Sequence, residues 1–537
     1  MARPRPSLLP TAALLSLSLA LVLVATGCAE RAKLVVELRG GGLILASQPN
    51  GRAEFALLDG DSGSEIVVAP DVRTADLAAQ VSLFDALELG GDQTYRLRVV
   101  ASVPGACNDS DGRAVGVSPP FRYDASLARV PVYVDCADSS QLAGNVRQPR
   151  LYHTATWVPQ GGPYGSVLLV GGARWDSIAD TLDLAKAKPY DSIERYDADS
   201  DSSQLLTAKM ARPRFYQQAV RSGDDVVVLG GIDITTVAGG VKGPKALDGV
   251  ERISVGNNGS DRVSALEPLA NPHALHTALA LAPDRVLVVG GMLGNFLATI
   301  KAELYDPVAG KRVAQLDSVG VHYPGVAAAL GDRALVYAGA VSELAVVKPQ
   351  AQRFCLTSGC SCEGGGQPPC FERLPGLPVE RTSLAAALVQ CPSGGGGALY
   401  LVGGRRDERE FKQPGPDTVF GDIYCVDAAS PGVPRLVGQL DKPRAAHTVT
   451  VVRGGAQGAR LFVAGGFGPP SNAPFADAEL VDVPCACPSA ADALKPVTVA
   501  LKVGRISHTA TLLPDGSVLL VGGVIGTESV ERFVPDL

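Results

Sequence analysis

The stretch at residues 505–523, which reads RISHTATLLPDGSVLLVGG, decides the fold of this chain. It joins an Arg-x-x-His-Thr opening, a short apolar strand, an Asp-Gly turn and a second apolar strand that ends in Gly522-Gly523. The phrase occurs seven times after residue 149, with the first glycine of the pair, or its equivalent, at 171, 230, 290, 338, 403, 465 and 522. The successive differences are 59, 60, 48, 65, 62 and 57 residues. This repeat predicts a closed ring of four-stranded blades.

Three kinds of strand can be distinguished within each repeat. The first strand is usually opened by Arg or His and carries small residues such as Thr154-Ala155, which suit the crowded innermost position of a blade. The second strand is almost wholly apolar, which predicts burial on both faces. The third resembles Glu194-Arg195-Tyr196-Asp197. The glycine pair permits positive φ and close backbone approach.

The final repeat contains no fourth strand before Leu537. A substitute is available upstream, because residues 138–146 (DSSQLAGNV) resemble residues 199–210, which precede the second repeat. We therefore expect residues 139–146 to form the outer strand of the last blade. Such a strand would join the two ends of the ring and leave no unpaired internal edge.

These features make residues 139–537 similar to the kelch-repeat family, whose signature is Gly-Gly after a hydrophobic strand, with a spaced aromatic residue and a tryptophan. The resemblance implies an all-β fold, a kelch-type β-propeller. Seven blades are expected, with six as the alternative because the fourth repeat is degraded at Ala338-Gly339. The turn Pro514-Asp515-Gly516-Ser517 resembles one that is often seen in galactose-oxidase-like rings.

The residues before the repeats have a different pattern. Strand-like runs such as Lys33–Leu38, Thr94–Val103 and Val130–Asp135 are separated by Gly/Asp turns, which predicts a small β-sandwich. The predicted organisation is a signal peptide at 1–27, a sandwich-like domain at 28–137 and the propeller at 138–537.

The N-terminus resembles the signal of a bacterial lipoprotein. Arg3 and Arg5 precede an apolar run at residues 8–24, and Ala25-Thr26-Gly27-Cys28 resembles a lipobox. The resemblance implies cleavage before Cys28 and acylation of that residue, which would anchor the protein to a bilayer. The alternatives are an ordinary secreted protein and a retained anchor. The expected location is the cell envelope, with Ala29 favouring the outer membrane, on its periplasmic or its surface side.

The charge of the chain bears on its partners. The formal net charge is −7 and no long basic block is present, so nucleic acid is not an expected partner.

Ten cysteines remain when Cys28 is set aside, and an even number in an exported chain favours disulfides. Cys107 and Cys136 are the leading pair, because they are the only cysteines in the N-terminal domain. Two local bonds are expected within the cluster Cys355, Cys360, Cys362 and Cys370. Cys391 with Cys425, and Cys485 with Cys487, are the remaining pairs that we predict.

The six histidines occupy two fixed positions of the repeat. His273 and His322 stand at the first position, and His153, His276, His447 and His508 stand at the fourth. Recurrence with the fold favours a structural role at strand entry, and no metal site is predicted. A zinc or copper site that faces the central channel is the alternative.

Known catalytic signatures are absent from the sequence, which has no Gly-x-Ser-x-Gly elbow, Walker loop or His-Glu-x-x-His. We therefore predict a non-catalytic scaffold without a cofactor, which binds a protein or glycan of the envelope through the variable loops after Gly-Gly. The candidate binding residues are Trp175, Arg405, Arg406, Arg409 and Phe411.

Two other functions remain open. One is an enzyme, either a carbohydrate-active ring or a copper enzyme like galactose oxidase, which holds copper through tyrosines and histidines and has one tyrosine linked to a cysteine. That constellation cannot be assigned residue by residue here. The other is a purely structural envelope component.

Overall fold

The computed structural model divides the chain into two compact units, Met1–Ala137 and Asp138–Leu537. It describes residues 17–20, 35–40, 51–68, 72–73, 92–102, 105, 107, 112–123 and 129–536, except 178–179, 181–182, 237–241, 257–259, 283, 295–296, 321–324, 339–349, 358, 380, 392–395, 407–418, 454–458, 472, 490–493 and 524–527. Among these residues no helix has the length and apolarity that a membrane span requires.

The described part of the first unit is all-β and shows one hydrogen-bonded sheet of nine strands. The strands are β1 (Leu17–Ala20), β2 (Val35–Gly40), β3 (Arg52–Asp59), β4 (Glu65–Val68), β5 (Val72–Arg73), β6 (Thr94–Ser102), β7 (Arg113–Val117), β8 (Phe121–Arg122) and β9 (Arg129–Cys136). Their order is β1-β2-β9-β7-β6-β3-β4, while β5 pairs with β3 and β8 with β6. Only β2 and β9 run parallel within this sheet.

Alternate residues of β6 are buried, as expected for a strand with one face on a core. Val36, Phe55, Leu97 and Val132, from four different strands, share that core. Cys107 is bonded to Cys136, so the predicted pair is confirmed.

The second unit consists of seven four-stranded antiparallel sheets. Blades 1 to 3 are β11 (Thr154–Val158), β12 (Ser166–Val170), β15 (Ser192–Asp197) and β16 (Ser202–Lys209); β17 (Gln218–Ser222), β18 (Asp225–Leu229), β21 (Val250–Ser254) and β22 (Arg262–Ala265); and β23 (Thr277–Ala282), β24 (Arg285–Val289), β25 (Lys301–Asp306) and β26 (Lys311–Asp317). Blades 4 and 5 are β27 (Gly325–Leu330), β28 (Arg333–Ala338), β29 (Gln350–Cys355) and β30 (Cys370–Leu374); and β31 (Ala385–Gln390), β32 (Gly397–Val402), β33 (Asp422–Asp427) and β34 (Arg435–Gln439).

Blade 6 is β35 (Thr448–Arg453), β36 (Ala459–Ala464), β37 (Asp477–Val483) and β38 (Pro496–Ala500), and blade 7 is β39 (Thr509–Leu512), β40 (Val518–Val521), β41 (Ser529–Val534) and β10 (Ser139–Asn145). Two hairpins lie in the loops after Gly-Gly: β13 (Ala173–Arg174) with β14 (Lys188–Pro189), and β19 (Ile232–Thr236) with β20 (Lys242–Ala246). Short 3-10 helices span Leu184–Lys186 and Glu363–Gly365. The innermost strands contact one another in sequence, and β11 of blade 1 contacts β39 of blade 7. The ring is therefore closed and has seven blades.

The ring is closed by the upstream strand β10, which pairs with β41, so the predicted closure is confirmed. The same strand also contacts blade 1. The hydroxyl of Tyr196 donates to the carbonyl of Ala143 at 2.5 Å, and Ser203 Oγ donates to that of Asn145 at 2.9 Å. One short strand thus holds the first and last blades together.

A buried cation recurs at the first position of the repeat. Arg150, Arg214, Arg381, Arg444 and Arg505 are buried, and each donates to the carbonyl of the first glycine of the pair in its own blade. His273 hydrogen-bonds to Gly290 in the same way. Each of these side chains also pairs with a carboxylate at the third strand, namely Glu194, Glu251, Asp422, Glu479, Glu531 and Glu303, respectively. The arginine or histidine at this position therefore ties the entry of strand one to strands two and three.

Blades 4 and 5 depart from this pattern. In blade 4, His322 lies outside the described residues, and Gln352 takes the place of the glutamate and accepts from the Val319 backbone N–H at 2.9 Å. In blade 5, Tyr424 takes that place, and Asp422 supplies the carboxylate for Arg381 at 3.0 Å. The Arg381 guanidinium lies over Phe420, 4.2 Å from the ring centroid.

The disulfides of the ring correct part of the prediction. The cluster in blade 4 forms two local bonds, Cys355–Cys360 and Cys362–Cys370, as expected. The predicted pairs Cys391–Cys425 and Cys485–Cys487 are wrong, because Cys391 is bonded to Cys485 and Cys425 to Cys487.

The sheet order explains this error. Cys391 follows β31 and Cys425 lies in β33, with β32 between them. Strands that are two positions apart are about 10 Å distant, which is too far for a disulfide. The bonds instead join blade 5 to the turn after β37 of blade 6.

Candidate functional site

The histidines at the fourth position lie at the junctions between blades. In each case the imidazole Cε1 lies against the first glycine of the preceding blade: His153 at Gly522, His276 at Gly230, His447 at Gly403 and His508 at Gly465. Gln217 occupies the same place in blade 2 and donates from Nε2 to the Val170 carbonyl at 2.7 Å. The residue at this position therefore connects neighbouring blades, and only glycine leaves room for it.

These imidazoles are neutral in the folded protein. Burial, with a smaller effect of the neighbouring arginine, lowers the pKa of His153, His447 and His508 to about 3. His153 Nε2 is hydrogen-bonded to Thr509 Oγ1, and His508 Nε2 to Thr448 Oγ1, both at 3.0 Å. Each threonine opens the first strand of the preceding blade.

The residue just before this position has positive φ in every described blade junction. The six residues, which we call the axis ring, are Tyr152, Tyr216, Leu275, Ser383, Ala446 and Ser507, with φ between 50° and 56°. Their backbones are hydrogen-bonded to one another between blades, as in Tyr216 N–H to Tyr152 carbonyl at 3.1 Å and Ser507 N–H to Ala446 carbonyl at 3.1 Å. Left-handed backbone at non-glycine residues is strained and is retained where the surrounding structure enforces it.

The axis ring is asymmetric. Blades 1 and 2 contribute Tyr152 and Tyr216, whose ring centroids lie 4.1 Å apart with an interplanar angle of 31°. We call this pair the tyrosine ledge. Blades 5 to 7 contribute the small residues Ser383, Ala446 and Ser507. We call the part of the propeller that the axis ring surrounds the axis mouth; blades 1 and 2 contribute aromatic side chains to it, and blades 5 to 7 contribute small ones.

Trp175, a predicted binding residue, packs against Tyr152 of this ledge. It is 2% exposed, and its indole makes edge contacts with Tyr152 at 5.8 Å and Phe215 at 5.7 Å. Its Nε1 donates to the Asp183 carbonyl at 3.2 Å. The prediction that Trp175 contacts a ligand is corrected, because the indole is covered. Its place in the fold is that of a positioning residue for Tyr152.

The predicted charged loop gives a mixed outcome. Arg405 is buried, since it directly follows Gly-Gly and its backbone bridges to Thr382 and Val419. Its guanidinium lies 5.8 Å from the centroid of the Phe467 ring in blade 6. The prediction of Arg405 as a surface contact is therefore wrong. Arg406 is exposed, whereas Arg409 and Phe411 lie outside the described residues.

The sequence analysis missed the two tyrosines of the ledge. The signal was present, because the residue directly before the fourth repeat position is aromatic only in the first two repeats, as Tyr152 and Tyr216. What could not be seen was that positive φ and ring closure bring these two residues side by side.

Comparison with known proteins finds similar folds among solved structures. No family model and no curated protein matches the chain. Among solved structures, it is similar to a fungal alcohol oxidase of the AA5 family in complex with copper, with a TM-score of 0.51 and 15% identity, over 74% of this chain and 76% of the other. It is also similar to YjhT, with a TM-score of 0.43 and 12% identity, over 66% and 99% of the two chains.

One prediction must be corrected in view of this comparison. We predicted that the chain is not an enzyme, and the similarity to a copper alcohol oxidase overturns that prediction. The fold is one on which an enzyme is built, so neither the fold nor the missing motifs exclude catalysis.

The described residues do not fit the copper site that the galactose oxidase resemblance implies. That site requires a cysteine linked to a tyrosine, but all ten cysteines among the described residues are in disulfides. Three or more His, Cys, Asp or Glu side chains that could hold a metal do not come together anywhere in the described part. The imidazoles of His153, His447 and His508 are packed against glycines of the neighbouring blades. The second unit of this chain is a seven-bladed β-propeller with the fold of kelch-repeat and galactose-oxidase-like proteins.

Proposed function

We propose that this protein is a lipid-anchored protein of the cell envelope that binds a glycan at the axis mouth of its propeller. The tyrosine ledge carries this proposal. Tyr152 is half-buried, and its ring packs against those of Tyr216 and Trp175.

An aromatic ledge beside small polar residues suits a sugar ring. Tyrosine offers an apolar face and a hydroxyl at its edge, which matches a pyranose with apolar C–H faces and polar rims. Ser507 belongs to blade 7, next to Tyr152 in the ring, Ser383 belongs to blade 5 across the ring, and both are partly exposed. Binding sites usually combine a concave apolar surface with a few such polar groups.

The export part of the proposal rests on the cysteines. Five disulfides join the ten described cysteines, and such bonds persist in oxidising compartments. Cys28, the residue that we propose to be lipidated, lies outside the described residues. Intact mass spectrometry of the mature protein should give a diacyl or triacyl Cys28 at its N-terminus. An unmodified N-terminus, or one beyond Cys28, would reject the anchor.

A protein partner is the second candidate. The loop after Gly-Gly in blade 3 exposes two apolar side chains, Leu297 at 53% and Ile300 at 38%. Apolar side chains exposed together are a common property of protein interfaces.

The two candidates can be separated by one experiment. Envelope polysaccharide and peptidoglycan fragments would be titrated into the protein by calorimetry, with the variants Tyr152→Ala and Leu297→Ser. Glycan binding predicts that Tyr152→Ala weakens affinity about tenfold or more, the loss of about 1.4 kcal/mol expected for an aromatic contact. Trp157→Phe, in strand β11 that begins two residues after Tyr152, is the matched control. Absence of glycan binding, or binding that is insensitive to Tyr152→Ala, would overturn the proposal, and pull-down of a defined protein that is lost in Leu297→Ser would favour the second candidate.

A further inference from the structure

The outer side of strand β2 in the first unit is covered by a segment from the extreme N-terminus. On one side, β2 pairs in parallel with β9. On the other side, it pairs antiparallel with β1, with Leu17 opposite Leu38 and Ala20 opposite Val35. No other described strand pairs with this side of β2.

This cover lies within the signal segment. If the chain is cut before Cys28, as the proposed function requires, β1 is lost and the mature chain starts seven residues before Val35. The inference rests on that cleavage. Without β1, the N–H and C=O groups along the outer side of β2 have no partner among the described strands, and such an edge is a template for another strand.

The side chains of β2 are complementary to a second copy of the same strand. Val36 and Leu38 are buried in the core, whereas Glu37 and Arg39 share the other face and lie 3.4 Å apart. In an antiparallel pair of two β2 strands with its two-fold axis at Leu38, Glu37 of each copy stands opposite Arg39 of the other. This register forms two cross-strand ion pairs of opposite charge and places no like charges opposite each other.

We propose that the mature protein forms a dimer by antiparallel pairing of β2 with β2, and that the signal segment covers this edge in the precursor. This edge of β2 already pairs with an antiparallel strand, because β1 is paired with it in that direction. A two-fold axis makes the interface isologous, so a single complementary strand is sufficient. Anchoring of both copies in one membrane would raise their effective concentration.

The opposite edge of the sheet does not have this property. Strand β4 reads Glu65-Ile66-Val67-Val68, and its one charged residue pairs with Arg98 at 2.6 Å within the chain. It has no basic residue that could face Glu65 of a second copy. The proposal therefore applies to β2 and not to sheet edges in general.

The test uses the purified mature protein in detergent, with sedimentation equilibrium as the measure of dimerisation. Glu37→Arg and Arg39→Glu should each weaken the dimer about tenfold or more, because two pairs per dimer change from attraction to repulsion. The double variant Glu37→Arg/Arg39→Glu should restore the wild-type dissociation constant within about threefold. Glu65→Arg, which makes the same charge change on the other edge, should leave it unaltered. Far-UV circular dichroism would verify that every variant is folded.

The outcomes separate the two proposals. Intact mass spectrometry measures signal cleavage independently of dimerisation. A retained signal segment would therefore overturn both the lipid anchor and the dimer. A cleaved but monomeric protein overturns the dimer alone, and so does a double variant that remains as weak as the single variants. A precursor with Cys28→Ala that retains residues 1–27 should be monomeric, and dimerisation of that precursor would also contradict the proposal.

Discussion

Arg444 and Glu479 form a fully buried ion pair, in which Nη2 of the arginine lies 2.6 Å from Oε1 of the glutamate. The arginine also donates from Nη1 to the Gly465 carbonyl at 2.8 Å. The glutamate accepts from the backbone N–H groups of Asp441 at 2.7 Å and Lys442 at 3.1 Å. The pair therefore joins the linker between two blades to the glycine pair and the third strand. The same relationship recurs around the ring.

Glu479→Gln should strongly destabilise the protein. The substitution removes the fully buried carboxylate and leaves the guanidinium of Arg444 paired with the less buried Asp477 at 3.0 Å, so the loss should approach but not exceed the cost of about 3–5 kcal/mol for a broken buried pair. Urea unfolding followed by tryptophan fluorescence would measure the loss. Asp317→Asn, in the exposed pair with Lys301, is the control and should cost less than about 1 kcal/mol. Equal effects of the two substitutions would contradict the assigned role.

Ala385→Thr should stabilise the ring. His153 and His508 each hydrogen-bond to the threonine that opens the first strand of the preceding blade, whereas Ala385 opens that strand in the blade before His447, whose Nε2 makes no side-chain hydrogen bond among the described residues. A threonine would supply one hydrogen bond, which is worth about 1 kcal/mol. Thermal unfolding would report a higher midpoint.

The reverse change tests the same idea. Thr448→Ala removes the partner of His508 and should lower stability by about 1 kcal/mol. A threonine at 385 that does not stabilise, together with a neutral Thr448→Ala, would show that these hydrogen bonds contribute nothing to the junctions.

Gly144→Ala should weaken the closure of the ring. Gly144 has a φ of 131°, and a Cβ there would lie 2.3 Å from the carbonyl oxygen of Asp201 in blade 1. Strain and overlap of this kind cost about 1–3 kcal/mol, and the whole propeller should unfold at a lower temperature. Gly432→Ala, with open space around its Cβ and no positive φ, is the matched control. An unchanged melting temperature for Gly144→Ala would contradict the role of β10 as the closing strand.

Much of the fold could be predicted because it depends on local sequence patterns. The spacing of the glycine pairs predicts the seven blades, and the likeness of residues 138–146 to 199–210 predicts the closing strand. The Cys107–Cys136 bond follows from the small number of cysteines in its unit. These features depend on neighbours in sequence or on simple elimination.

The site could not be predicted in the same way, because it depends on which repeats become neighbours. Trp175 looks like a surface residue in a variable loop, but the contact of that loop with Tyr152 and Phe215 covers it. Arg405 belongs to a run of charges, but the backbone bridge to Thr382 places it inside. The cross-blade disulfide Cys391–Cys485 likewise requires knowledge of how blade 5 meets blade 6.

Stability should fall in acid because of the junction histidines. His153, His447 and His508 have a folded pKa of about 3, against about 6.5 in the unfolded chain. The unfolded state therefore binds more protons between these values. Stability is fully present above about pH 6.5 and is lost as the pH falls towards 3, by up to about 1.4 kcal/mol per pH unit for each histidine. Urea unfolding at a series of pH values would measure the slope.

The control for this prediction is provided by the chain itself, since Gln217 occupies the histidine position in blade 2 and packs at the junction without titrating. The triple variant His153→Gln/His447→Gln/His508→Gln keeps every carboxylate, so acid effects that arise elsewhere are common to both proteins. Its free energy of unfolding should depend on pH less steeply than that of the wild type, by up to about 4 kcal/mol per unit near pH 5. Identical slopes would mean that these histidines titrate normally in the folded ring. Because the slope and not the absolute stability is compared, a general loss of stability in the variant does not affect the conclusion.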